Sequence, residues 1–282
     1  MSAVRLFNEC SGILRMTHKK RVAIDSQRVW RIIEHTMNKS AKLAELRHSL
    51  ARYGLPPERE PVATGHPQAD AVLGGGLRPG SLHEVFATGW SAGSFAALLA
   101  MLAAGKKTLF WVQPDYEAME YGAFSPNGLL ELGGDPRGLI QVAARNATEA
   151  LSAANDVLAC PHVGALLLEI EGMPKCLDLV ASRRLALAAG ESGVTAFLLR
   201  NGARPEPSAA LTRWQVTSAP SDPNDDDWGK PVFDAHLTRH RAGGLGEFLM
   251  RWNLEHACFE TPNPGAVVRT PAHRPALEKI AG

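Results

Sequence analysis

The sequence predicts an α/β fold: a mostly parallel sheet flanked by helices, with an antiparallel C-terminal extension. Three observations lead there. From residue 81 onward, short apolar runs alternate with helix-length segments, the grammar of βαβ units. Two of those runs, Thr108–Val112 and Val163–Ile170, are almost uninterrupted, as in strands buried on both faces. After Asn201 the pattern changes to strand-like stretches joined by Gly, Pro and Asp turns, as hairpins require. With 282 residues, 45% apolar and 21% charged, the chain has the material for one large core or two small ones and is not globally disordered.

Residues 1–36 form a basic leader with seven Lys/Arg and three Asp/Glu and no clear period. It reads as a disordered extension or as upstream sequence preceding a start at Met37. The whole chain carries a net charge of +1. Without the leader, 23 basic side chains face 26 acidic ones, so bulk charge offers no grip on DNA. Residues 37–58 hold a helix, Ser40–Arg52, with Ser40 as N-cap and Leu43, Leu46 and Leu50 on one face. Pro56-Pro57 stops it, and the stretch through Pro67 reads as linker. The core is expected over 59–258. It opens with the loop Leu73-Gly-Gly-Gly-Leu-Arg-Pro-Gly80 and the strand Ser81–Phe86. A small-residue turn, Ala87–Ser94, leads into an apolar helix, Phe95–Ala104, and then the strand from Thr108. A mostly helical stretch (117–132), a strand at Leu139–Val142 and a helix at Ala147–Ala159 follow. The strand Val163–Ile170, a helix at Leu177–Ala189 and a strand at Gly193–Leu199 complete the alternating part. Leu211–Ser218, Val232–Arg241 and Glu247–Trp252 are the hairpin strands. Residues 259–282 read as a Pro-rich flexible tail.

The longest apolar stretch, Phe95–Ala104, is about half of what a membrane-spanning helix needs. The four cysteines are far apart and form no CxxC pair, so a reduced, cytoplasmic setting is expected. His236 and His240 sit in a strand pattern, where period 2 works against a shared zinc ion. Asp225-Asp-Asp227 is a solvated turn with too few oxygens for calcium. Trp111, Trp214 and Trp252 fall in strands and read as core; Trp90 lies in the turn.

That turn stands where a phosphate loop would stand. Such a loop needs G-x-x-x-x-G-K-[ST] between strand and helix, so that backbone N–H groups, a lysine and a metal-binding hydroxyl surround the phosphates. Gly89 and Gly93 are present, but Ser94 follows where Lys belongs and Phe95 where Ser/Thr belongs. Gly105-Lys106-Lys107-Thr108 lies at the opposite end of the helix and serves its C-terminus instead. Asp115 and Glu169, near strand ends, match the positions of a water-activating and a metal-binding acid, as remnants. No catalytic residue, cofactor or metal site is expected. An ATPase with an unconventional site would have to borrow its cation, for example from Arg78 or Lys106.

In order and spacing, residues 60–255 resemble the core of RecA-type recombinases: the GGGL entry, the strand Thr108–Asp115, the acid strand Val163–Glu169, the strand Val194–Leu199 and the antiparallel extension. Within that superfamily the chain is similar to the ImuA family, on Leu43-Ala-Glu-Leu-Arg47, the GGGL segment, the degenerate turn, Arg183–Gly190, Leu198-Leu-Arg200 and Leu211-Thr-Arg-Trp214. The resemblance implies a noncatalytic accessory role in damage-inducible, error-prone translesion synthesis. It implies an ImuB-like protein and a DnaE-type polymerase as partners, with RecA as a further candidate. The alternative in the same superfamily is a SulA-like inhibitor of cell division. The recombinase DNA loops are short here. Glu171–Lys175 and Asn201–Ser208 hold no aromatic side chain, and the second has one basic residue, Arg204, so direct DNA binding is expected to be weak or absent. In the tail, Arg269, Arg274 and Lys279 are candidates for steering a partner and Leu277 and Ile280 for contacting it.

Overall fold

The computed structural model describes residues 59–87, 92–122, 124–221 and 229–262. All of them fall within one compact unit, Glu58–Gly282. The leader, the Ser40–Arg52 helix, Gly89, Trp90, the aspartate turn and the tail candidates Arg269, Arg274, Leu277, Lys279 and Ile280 lie outside the described residues.

The elements run α1 (Pro67–Leu73), β1 (Leu82–Ala87), α2 (Ala92–Ala104), β2 (Thr108–Pro114), α3 (Asp115–Tyr121), α4 (Pro126–Glu131), a 3-10 turn (Pro136–Gly138) and β3 (Leu139–Ala144). They continue with α5 (Ala147–Leu158), β4 (Val163–Glu171), α6 (Leu179–Ser192), β5 (Thr195–Asn201), β6 (Thr212–Ala219), β7 (Val232–His240), β8 (Gly246–Asn253) and β9 (Cys258–Glu260). All nine strands share one sheet in the order β3-β2-β4-β5-β1-β6-β7-β8-β9. Strands β1 to β6 are mutually parallel, and β6 to β9 are antiparallel. The expected mixed α/β sheet is present. β6 does double duty, pairing β1 in parallel and β7 in antiparallel fashion.

Four local expectations need correction. The stretch to Pro67 is not all linker: Pro67 occupies the first turn of α1, and His66 caps it by accepting from Ala69 N. Gly74 and Gly76 then serve the turn into β1. Gly74 takes the left-handed conformation that ends α1, and a Cβ on Gly76 would lie 2.2 Å from Val62 O, across the Val62–Leu77 bridge. The helical stretch 117–132 is two short helices, α3 and α4, and α6 starts at its N-cap Asp178 rather than at Leu177. Lastly, β9 begins at the last expected core residue, Cys258, and runs two residues into the expected tail, with Phe259 N bonded to Thr64 O and its ring buried.

Two cores lie on the two faces of the sheet. One, under α5 and α6, packs Val112, Leu166, Leu168, Ile170 and Leu198. The other surrounds α2, whose Phe95 to Ala100 are all fully buried. A helix apolar on every side has to be enclosed. The sheet achieves this by coiling: Trp252 on β8 donates from Nε1 to Leu132 O, beyond α4, at 3.0 Å. The rings of Phe95, Trp214, Phe233, Phe248, Trp252 and Phe259 fill the concave side, with neighbouring centroids 5.0–6.2 Å apart.

Among the buried polar groups is His83, at the N-terminal end of β1. Its Nε2 lies 3.4 Å from Arg78 O, so Nε2 carries the proton, and Nδ1 accepts from Thr212 Oγ1 at 2.7 Å. The ring stacks on Phe197. Burial, with a smaller push from His240, lowers its pKa to about 4. Between pH 4 and 6.5 the unfolded chain takes up a proton that the folded chain refuses, so this residue's stabilisation is full above pH 6.5 and fades as pH falls. Urea melts at pH 7 and pH 5 should show the parent losing about 2 kcal/mol more than His83→Gln. Equal losses would mean that His83 is not the titrating group.

Candidate functional site

The C-terminal ends of the parallel strands β1, β2, β4 and β5 lie along one edge of the sheet. Of the turn Ala87–Ser94, Ala87 ends β1 and Ala92, Gly93 and Ser94 already lie within α2, as does Phe95. Gly93 lies over Leu199 near the end of β5, within 3.9 Å of its Cδ2 measured from an ideal Cβ. Phe95, at the position of a metal-binding hydroxyl, points into the aromatic core and is fully buried, 5.4 Å from the rings of Phe233 and Phe259.

Glu169 projects from β4 on the α2 side of the sheet. Both its oxygens accept from protein donors: Oε1 from Asn201 Nδ2 at 2.8 Å and Oε2 from Trp111 Nε1 at 3.0 Å. Trp111 is held flat by Phe124, with centroids 4.0 Å apart. Asp115, the other remnant acid, is exposed at the start of α3. Glu117, two residues further into α3, is brought against the end of β4. Its Oε2 accepts from Glu171 N at 2.9 Å. Glu117, Asn201 and Trp111 were missed as site residues. Asn201 and Trp111 carried no signal, and Glu117 could be found only from its place two residues beyond Asp115.

Glu117, Glu169 and Glu171 gather at one sheet end, and among the described residues none forms an ion pair with Lys or Arg. Burial raises the pKa of all three. For Glu117 it reaches about 7, through burial first and then repulsion from Glu169 and Glu171, against the Glu171 N–H bond. Such a raised carboxyl holds a proton between pH 4.5 and 7 that the unfolded chain releases, so its contribution falls as pH rises through that window. Glu117→Gln should therefore stabilise the protein at pH 8 by about 1 kcal/mol, allowing for solvent screening of a half-buried group. The gain should vanish near pH 4.5. A denaturant series with the same gain at both pH values would refute the assignment.

The borrowed cations do not reach this end. Arg78 precedes β1 and Lys106 precedes β2, both at the N-terminal edge of the parallel strands. The six residues of β1 put about 20 Å between them and the turn. The segment after β5 is also tied down. Ser208 O accepts from Arg239 Nη1 and Arg241 Nη2 at 3.1 and 3.2 Å. Ser208 Oγ and Glu206 O accept from Arg213, and Ala209 N donates to Ser182 Oγ. Arg204 stands exposed beside this clamp. Among the described residues there is no cluster of His, Cys, Asp and Glu fit to hold a metal ion, and no helix long and apolar enough to cross a membrane. Cys160, Cys176 and Cys258 are free thiols.

Fold and site together define a RecA-like core whose end, where a phosphate loop would stand, carries Glu117, Glu169 and Glu171 and the buried Phe95. The crystal structure of the RadB recombinase shares that fold, with a TM-score of 0.51 over 72% of this chain and 100% of that one, at 17% identity. No family model matches the sequence. The curated protein ImuA of Caulobacter vibrioides, from strains NA1000 / CB15N and ATCC 19089 / CIP 103742 / CB 15, is 34% identical over 211 residues, 67% of this chain and 82% of the relative. The chain belongs to the ImuA family.

Proposed function

We propose that this protein is a noncatalytic accessory factor of damage-inducible, error-prone translesion synthesis. It works by protein–protein contacts with an ImuB-type, Y-family-like protein and a DnaE-type polymerase. Membership of the ImuA family supports the pathway. The noncatalytic part rests on one observation above all: Phe95, where a phosphate loop would carry its metal-binding hydroxyl, is fully buried in the aromatic core, and Glu169, at the metal-acid position, has both oxygens engaged by Asn201 and Trp111. The pinned segment after β5, without aromatic side chains, supports weak or absent binding of single strands.

The test is a deletion strain scored after DNA damage for survival, mutation frequency and cell length, alongside binding of the purified full chain to the ImuB-type protein. The accessory role is expected to abolish damage-induced mutation without filamentation, and to show direct binding. Filamentation on overproduction with unchanged mutagenesis would favour an inhibitor of cell division instead.

A further inference from the structure

Helix α6 buries Ser182, Leu185 and Ala189 against the sheet and turns a different face to solvent. Along that outer face, Val180, Arg183, Arg184 and Leu187 stand at positions i, i+3, i+4 and i+7 of a single stripe. Val180 is 54% exposed and Leu187 65%, two turns and about 10 Å apart along the axis. The two arginines between them are exposed and have no ion-pair partner among the described residues. Just before the helix, Met173 is exposed and Lys175 adds a third positive charge. Asp178 is occupied as the N-cap, accepting from Ala181 N. Single exposed apolar residues are ordinary. An apolar–basic–basic–apolar stripe on one rigid helix, with no acid between Val180 and Leu187 and Glu191 a turn beyond them, is a patterned surface.

From this we infer that the outer face of α6 docks an acidic amphipathic helix of a protein partner. Two apolar side chains of that helix, about two turns apart, would meet Val180 and Leu187. Carboxylates between them would pair with Arg183 and Arg184. Charge complementarity requires an acidic occupant. The exposed Val180 and Leu187 favour a protein over nucleic acid, because a phosphate backbone gives apolar side chains nothing to bury against. Helix-in-groove recognition reads i and i+7 anchors in this way. The inference deepens the accessory reading by naming a partner surface, and it can be tested apart from it.

The experiment uses the full chain carrying Leu187→p-benzoylphenylalanine, irradiated in damaged cells, with the crosslinked peptide identified by mass spectrometry. A control carries the same photoreactive side chain at Glu131, exposed on α4. The expected product joins Leu187 to a protein segment with net negative charge and apolar residues seven apart. Adding Arg183→Glu and Arg184→Glu, both at exposed positions and checked for intact fold by circular dichroism, should cut the yield about tenfold. Crosslinks to DNA, to lipid or to a second copy of the chain would overturn the inference, as would a yield no greater than the control or unmoved by charge reversal. An acidic helix from a protein other than the ImuB-type one would keep the docking face and overturn that partnership instead.

Discussion

Rewriting the turn as a phosphate loop, with Ser94→Lys and Phe95→Thr together, is expected to cost about 4 kcal/mol and to create no ATPase. Phe95 is fully buried and packs against Trp214, Phe233 and Phe259 inside the coiled sheet. Truncating a buried Phe costs about 3–5 kcal/mol, and a threonine hydroxyl adds an unpaired polar group to an apolar core. In a unit of this size the melting temperature should fall by about 10 °C. Glu169, at the metal-acid position, would still have both oxygens engaged by Asn201 and Trp111 and so be unready for magnesium. Differential scanning fluorimetry and calorimetry with ATP and magnesium check both halves. An unchanged melting temperature would show that Phe95 is not a core anchor. Nucleotide binding by the parent chain tighter than about 100 μM, roughly 5.5 kcal/mol, would sink the noncatalytic reading itself.

The βαβ alternation was legible because each parallel strand is buried on both faces and so reads as an apolar run. Val163–Glu171 and Thr195–Asn201 show this plainly, with almost every position buried. Short elements were less visible. The 7 residues of α1 carry no full apolar period, and its proline looked like a linker mark when it was a helix start. The 3 residues of β9 are recognisable only by their partners, Arg251 to Asn253 on β8. At the site, the missing lysine and hydroxyl could be read directly from Ser94 and Phe95. Where Glu169 spends its hydrogen bonds could not be read, since Trp111 and Asn201 lie 58 and 32 residues away in sequence. Nor could spacing decide between Asp115 and Glu117, because the turn of α3 off β2 settles which carboxylate swings inward.

The second large effect is expected at the crossing of β1 and β6. Glu84 and Arg213 face each other across the parallel pairing, with side chains only 2% and 11% exposed. Arg213 donates from Nε at 2.9 Å, and its Nη2 lies 2.8 Å from the same carboxylate oxygen, while its guanidinium covers the Phe86 ring at 5.3 Å. Arg213→Met should destabilise the protein by about 3–5 kcal/mol, since it strands a carboxylate in the sheet. Arg200 is near enough to soften the loss but makes its hydrogen bonds to Gly172 O and Met173. The double variant Glu84→Leu, Arg213→Met should recover most of the loss, because a well-packed apolar pair of similar volume can replace a buried ion pair at little net cost. Arg213 also holds Glu206 O and Ser208 Oγ, so both variants should speed amide exchange at Leu211, whose N–H bonds to Leu82 O. Urea melts of the parent, both single variants and the double variant yield the coupling directly. A coupling below about 0.5 kcal/mol would show that Glu84 and Arg213 act independently and that the ion pair does not hold β1 to β6.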